Sequence, residues 1–186
     1  MEGEGPLKNF LFGLVLGVLL VPLAVFGYFV GGYAPVATAS KAMPFERRLA
    51  ASALHAHISQ EMPKTVPLAA DDSSYSAGAE IYRQDCAVCH GLPGEEPTAI
   101  ARGMFPHAPQ LFRGKGVTDD EAGETYWKVE NGIRLTGMPG FGKSLSETQM
   151  WQVSLLLANA DKLPDSVKQS LATGPAAPTR EVAPKR

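Results

Sequence analysis

Cysteine is nearly absent from this chain: of 186 residues only Cys86 and Cys89 carry a thiol, three positions apart. A disulfide over so short a loop would restrain little of the unfolded chain. A disulfide-stapled fold is therefore excluded, and the pair needs a chemical explanation. Histidine is scarce too, with four in all, which leaves few imidazoles for a dedicated metal site. There is no basic patch and the formal net charge is −2, so electrostatics give no reason to expect nucleic acid. Strand-like alternation of apolar and polar residues is also missing, which argues against a sheet and for an all-α chain.

Charge is missing altogether from Asn9 to Ser40, and within that stretch Phe10 to Val30 is strongly apolar. As a helix rising ~1.5 Å per residue, residues 10–30 span roughly 30 Å, the thickness of a bilayer's hydrocarbon core. A cleaved signal peptide is the rival, with Ala37-Thr38-Ala39 as a small-residue cleavage site. Signal cores run to only ~7–15 residues, however, so residues 1–31 are expected to be a retained, single-pass membrane anchor. Gly13/Gly17 and Gly27/Gly31 repeat the four-residue spacing that lets a second transmembrane helix approach. Pro22 is expected to kink the span. Charge does not orient it: Lys8 precedes it, whereas Lys41, Arg47 and Arg48 follow. By the positive-inside rule alone, that distribution favours the reverse topology.

Residues 32–72 read as a stalk, punctuated by Pro35, Pro44, Pro63 and Pro67. Phe45 to Gln60 within it has the pattern of a short amphipathic helix with Phe45, Leu49 and Ala53 on one face. His55 and His57 would point to opposite sides of that helix, which makes them part of a solvated face rather than a metal site. A flexible stalk of this length would reach roughly 35 Å. Residues 73–163 are expected to form the compact domain. Its first helix runs from near Tyr75 to Asp85, and a second starts after Thr118, where Thr118-x-x-Glu121 resembles a capping box, and stops at Asn131-Gly132. A third is capped by Ser146-x-x-Gln149, with Leu145 and Met150 placed as a hydrophobic staple. The Pro/Ala-rich tail, 164–186, has too few large apolar residues to pack and is expected to be disordered.

Cys86-Ala-Val-Cys89-His90 carries the chemistry. C-x-x-C-H is the attachment signature of a c-type haem, in which both thiols add to the vinyl groups and the next imidazole binds the iron. A thioredoxin-type dithiol expects a βαβ setting, and this pair follows a helix. Zinc needs two further ligands at suitable spacing, and only His55, His57 and His107 remain. A second signal is Met138, in Arg134-Leu-Thr-Gly-Met-Pro-Gly-Phe-Gly142. Of six methionines it alone lies in a Gly/Pro-rich loop between helices, where glycine lets the backbone approach a flat ligand. A thioether is the usual partner of histidine in electron-transfer cytochromes. Met104 and His107, in Gly-Met-Phe-Pro-His, are the alternative sixth ligands.

Residues 76–163 resemble a class I monohaem cytochrome c of the bacterial, membrane-anchored type. The resemblance rests on Gly78-x-x-x-Tyr82-x-x-x-Cys86-x-x-Cys89-His90-Gly91, Ala108-Pro109-Gln110-Leu111, the stretch from Asn131-Gly132 to Gly137-Met138-Pro139, and the Trp151 helix. It covers about half the chain. It implies three main helices around one covalently attached haem c, bound through Cys86 and Cys89, with His90 and Met138 as axial iron ligands. It casts the Pro109 carbonyl as acceptor for the His90 N–H, with Ala108 where the family usually has glycine. It also implies that the first and last helices cross, so that Gly78 and Tyr82 meet Trp151 and Leu155. The function implied is electron transport rather than catalysis, on the periplasmic side of a bacterial inner membrane, between membrane redox complexes of a respiratory chain. A fixed cytochrome subunit of a larger oxidoreductase and a haem with a displaceable Met138 are the competing readings. The anchor, stalk and tail lie outside the resemblance.

Overall fold

A helix that is apolar on every side opens the chain. The computed structural model describes residues 5–113 and 120–172, and α1 runs over Gly5–Val30, five residues longer at its start than the apolar run alone suggests. None of its residues is buried. It is the one helix among the described residues with the length and composition to cross a membrane, a test that a signal sequence also passes. The chain divides into two units, residues 1–47 and residues from Arg48 onward. Among the described residues all regular structure is helical.

The second unit is built on α3 (Asp72–Ile81), α6 (Ala122–Asn131) and α7 (Glu147–Ala158), with short α4 (Ala87–His90) and α5 (Ala99–Gly103) between them. Asp71 caps α3 by accepting from Ser74 N at 2.9 Å. Ser146 and Gln149 form the full reciprocal capping box at the start of α7, as their spacing predicts. The Thr118 capping box lies outside the described residues, and α6 follows Glu121, which makes no side-chain cap.

The core forms where α3 and α6 pack on α7. Tyr82, Val153, Ser154 and Leu156 lose all contact with solvent, and Trp151 stacks on Tyr126 with ring centroids 4.3 Å apart. The crossing of α3 over α7 depends on Gly78. A Cβ there would collide with the Gln152 carbonyl and press on Leu156. The contact thus falls one residue later on α7 than the resemblance implies. The buried Ser154 hydroxyl donates to the Met150 carbonyl at 2.7 Å, which satisfies it locally.

Two expected boundaries are corrected. Residues 164–172 are not part of a disordered tail: α8 (Asp165–Ala172) packs on α3 and buries Val167 and Leu171. Two well-spaced apolar side chains suffice to seat a short helix on a ready-made core. The remaining tail, 173–186, lies outside the described residues. Nor is 32–72 a free stalk. α2 (Glu46–Glu61) is part of the second unit from Arg48 on. Its buried residue is Ile58, whereas Phe45 and Leu49, expected on one face of it, are 70% and 69% exposed. Glu61 accepts from the Trp127 indole at 3.0 Å and lies 3.1 Å from His57, whose ring stands edge-on to Trp127. Just beyond, the Pro63 carbonyl occupies the place a Cβ on Gly123 would take. Only residues 31–45 separate α1 from α2.

Candidate haem-binding site

The Cys–His segment owes its shape to a break in helical phase. After Ile81 the helix widens into a π-helical turn over Tyr82–Cys86, closed by Ala87 N–H donating to the Tyr82 carbonyl five residues back. Such a turn inserts one residue and rotates whatever follows, and π-turns of this kind recur at functional sites. Cys86 ends the π-turn in the right-handed helical region at φ −109°, and α4 then makes one turn that Gly91 closes onto the Ala87 carbonyl at 2.8 Å. Cys86 and Cys89, three apart, share one side of that turn with Cβ atoms about 5–6 Å apart by helical geometry. They are free thiols. Burial, helped by Asp85 and Cys89, pushes the Cys86 thiol up to about 12, so it stays protonated near neutral pH.

His90 is held by its ring. Its Nδ1 lies 2.8 Å from the Pro109 carbonyl, and since a carbonyl only accepts, Nδ1 carries the proton. Nε2 is left with its lone pair, the form in which an imidazole binds a metal. Burial holds His90 below its ordinary pKa against the raising effect of that carbonyl, which keeps the ring neutral. Gly91 follows at φ +75°, with the Gln110 side chain where a Cβ would stand. Its carbonyl accepts from the Tyr82 hydroxyl at 2.7 Å. Tyr82 is edge-on to Phe112 with centroids 4.9 Å apart, so one phenol links the Cys–His turn to the Pro109–Phe112 segment. Thr98 Oγ1 donates to the Val88 carbonyl at 2.6 Å and fixes the other end of the turn.

Met138 is held differently. Its loop folds back on the end of α6, with Phe141 and Gly142 donating to the Val129 and Glu130 carbonyls at 2.8 and 3.0 Å. The Met138 carbonyl accepts from Ile133 N–H at 3.2 Å, and its amide donates to Thr136 Oγ1 at 3.1 Å. Gly132, at φ +69°, has the Met138–Gly140 backbone packed where its Cβ would be. The Met138 side chain is half-buried. Of the alternative ligands, Met104 lies against Gly137 with its terminal methyl in the place of a Cβ, and His107 is exposed. His55 and His57 are exposed as well. No cluster of three or more His, Cys, Asp or Glu suited to a metal ion occurs among the described residues.

The donor set suits a c-type haem: two unpaired thiols on one turn, an imidazole with its second nitrogen free, and a thioether on a glycine-rich loop. The buried Gln110 Nε2 has no hydrogen-bond partner among the described residues. It is an orphaned donor beside the Cys–His turn, where a bound group with acceptor atoms would satisfy it. Sequence reasoning placed Gln110 in the Ala108–Leu111 motif without giving it a role and missed Thr98, because polar residues in irregular segments carry no periodic signal. Tyr82 was expected only as a helix-crossing residue; its hydroxyl bond depends on the π-turn, which nothing in the sequence marks.

Helix order, the α3–α7 crossing and the His90–Pro109 pair together define a class I monohaem c-type cytochrome domain. Residues 73–155 match the family described as "Cytochrome C oxidase, cbb3-type, subunit III", which implies a c-type haem and a role in electron transfer. Among solved structures, a chain of the "Kuenenia stuttgartiensis reducing HAO-like protein complex Kustc0457/Kustc0458" is similar, at 24% identity and a TM-score of 0.44. The match covers 50% of this chain and 46% of that one, so the chain spans about half the length of that structure. None of the curated proteins compared with the chain matches it.

Proposed function

We propose that the protein is a membrane-tethered electron-transfer cytochrome whose haem domain faces the periplasm. In this reading Cys86 and Cys89 hold one haem c covalently, and His90 and Met138 are its axial ligands. The haem supplies a reversible one-electron iron couple, with the thioether ligand favouring the ferrous state. The chain's own residues do the rest. Pro109 fixes the His90 tautomer and ring plane. The Tyr82–Gly91 bond keeps the turn from shifting when the iron's charge changes. The packed core of Trp151, Leu155 and Leu156 excludes water and limits reorganisation. Two protein ligands leave no position for a substrate, which favours a carrier over an enzyme.

The observation that carries this reading is the 2.8 Å contact of His90 Nδ1 with the Pro109 carbonyl, because it leaves a neutral, oriented Nε2 beside two free thiols. Haem staining after denaturing electrophoresis tests it. The stain is expected to survive in the wild-type chain and to vanish when Cys86→Ser and Cys89→Ser are combined. Loss of stain with both cysteines intact sinks the covalent assignment.

A second reading, a fixed subunit of a membrane oxidoreductase, draws support from the docking of α2. With only 31–45 free of helix, the tether reaches about 20 Å as a flexible chain instead of the longer swing a full stalk would allow. The match of residues 73–155 to an oxidase-subunit family points the same way. Sizing the haem-containing particle from mild detergent separates the readings: a particle of one chain favours the carrier, a larger stoichiometric one the subunit.

A further inference from the structure

The cations that follow α1 fit neither the haem chemistry nor the usual charge asymmetry of a membrane anchor. From Gly31 to Gln60 the chain carries Lys41, Arg47 and Arg48 against a single acid, Glu46. That acid is turned back onto its own backbone, accepting from Met43 N–H at 2.7 Å. Lys41, Arg47 and Arg48 are all exposed. On α2 and just before it they accompany exposed apolar side chains. Phe45 and Leu49 are 70% and 69% exposed. At 3.6 residues per turn, Leu49, Ala53 and Ala56 fall on the face opposite Leu54 and Ile58, with Arg48 at its border. Ile58 is 2% exposed, so α2 has one face committed to its own domain and the other left to solvent. Between the helices, Tyr33 and Val36 are 74% and 94% exposed.

We infer that the N-terminal half of α2 lies on the outer surface of the bilayer, with Leu49, and Phe45 just before the helix, among the headgroups and Lys41 and Arg48 on anionic phosphates. The inference rests on α1 being retained as a membrane span. Three arguments select lipid over a protein partner. Fifteen residues, 31–45, join α2 to α1, so the helix is confined near the membrane surface whatever else it meets. The charges have the sign that anionic headgroups attract, and basic residues close to a membrane bind such lipids. An exposed Leu49 bordered by Arg48, with the exposed aromatic rings of Tyr33 and Phe45 close by in the chain, is a composition found at membrane–water boundaries. This reading also accounts for cations on the side that the positive-inside rule leaves poor in them.

The experiment uses the full haem-loaded chain in vesicles of phosphatidylcholine and phosphatidylglycerol in equal parts. The vesicles are doped with phospholipids bearing a diazirine either near the headgroup or deep in the acyl chain, and adducts are mapped by mass spectrometry. The deep probe is expected to label α1, and the shallow probe to label residues 45–56. Labelling of 45–56 should fall severalfold with Arg48→Glu and Leu49→Glu combined, and again when phosphatidylglycerol is left out, while α1 labelling stays constant. Both positions are exposed, so the double variant should fold, and an unchanged haem spectrum checks this. Adducts throughout α1 with none at 45–56 would overturn the inference and leave the anchor standing. Labelling of 45–56 that ignores both changes would overturn it as well. Absence of adducts from α1 would remove the anchor reading and this inference with it.

Discussion

The two sides of the candidate site are built on different principles. On the His90 side, groups from three segments converge: the Pro109 carbonyl accepts from the His90 ring, the Tyr82 hydroxyl donates to the Gly91 carbonyl, and the Thr98 hydroxyl donates to the Val88 carbonyl. Tyr82 is fully buried and belongs to the core, so the geometry of this side is tied to global stability. On the Met138 side the loop is held by its own backbone and by α6, through main-chain bonds that leave the thioether to itself. The neighbouring Leu135 is 92% exposed and sits at φ +62°. A ligand held by its core resists exchange; a ligand placed by a loop is free to leave at small cost to the fold. Under the proposed ligand assignment, this difference would let the domain keep a haem on the His90 side while the Met138 side is tuned.

Breaking the His90 side should have the largest effect. Tyr82→Ala removes a fully buried ring and is expected to cost about 3–5 kcal/mol, read from urea unfolding. Tyr82→Phe keeps the ring but leaves the Gly91 carbonyl unpaired, for about 1–3 kcal/mol. If both variants unfold at the wild-type midpoint, the side is not tied to the core and the comparison fails.

The opposite side should behave in reverse. Met138→Ala is expected to cost less than about 2 kcal/mol, because the side chain is half-buried and lies outside the core cluster. Its spectroscopic effect should be large: loss of the weak far-red sulfur–ferric band, a lower potential, and carbon monoxide binding to the reduced iron. Met104→Ala and His107→Ala should keep the band. A wild-type spectrum without it would move the sixth ligand to His107.

Smaller changes test the frame that both sides share. Ser146→Ala removes the α7 cap, for about 1 kcal/mol, and should lower thermal stability without altering the potential. Asp71 caps α3, and the amide of Ser74, followed by the Ser73 and Ser74 side chains, holds its carboxyl below the ordinary 3.8. In the window just below that value the unfolded chain binds more protons than the folded one, so stability rises with pH. The contribution is complete above pH 3.8 and is lost as pH falls through the folded value. Asp71→Asn should flatten this acid limb in a urea titration across pH, by the smallest effect of the set.

What the sequence determined is whatever chemistry reads from neighbours along the chain. The C-x-x-C-H spacing, the Ser146/Gln149 box and the uncharged run before Ser40 need only a few consecutive residues to carry their meaning. The resemblance to class I cytochromes supplied Pro109, whose carbonyl lies 2.8 Å from His90 Nδ1. Tertiary structure decided what depends on which face meets which neighbour. The sequence placed Phe45, Leu49 and Ala53 on one face of a helix here but did not say which residues would seat it; Ile58, Glu61 and Pro63 do, because Trp127 and Gly123 stand opposite the last two. Val167 and Leu171 carry no signal within a polar tail until α3 gives them a surface to bury. The Tyr82 hydroxyl reaches the Gly91 carbonyl because a π-turn lies between them and re-phases the turn that follows, and a single inserted residue of that kind leaves no trace in the hydrophobic pattern.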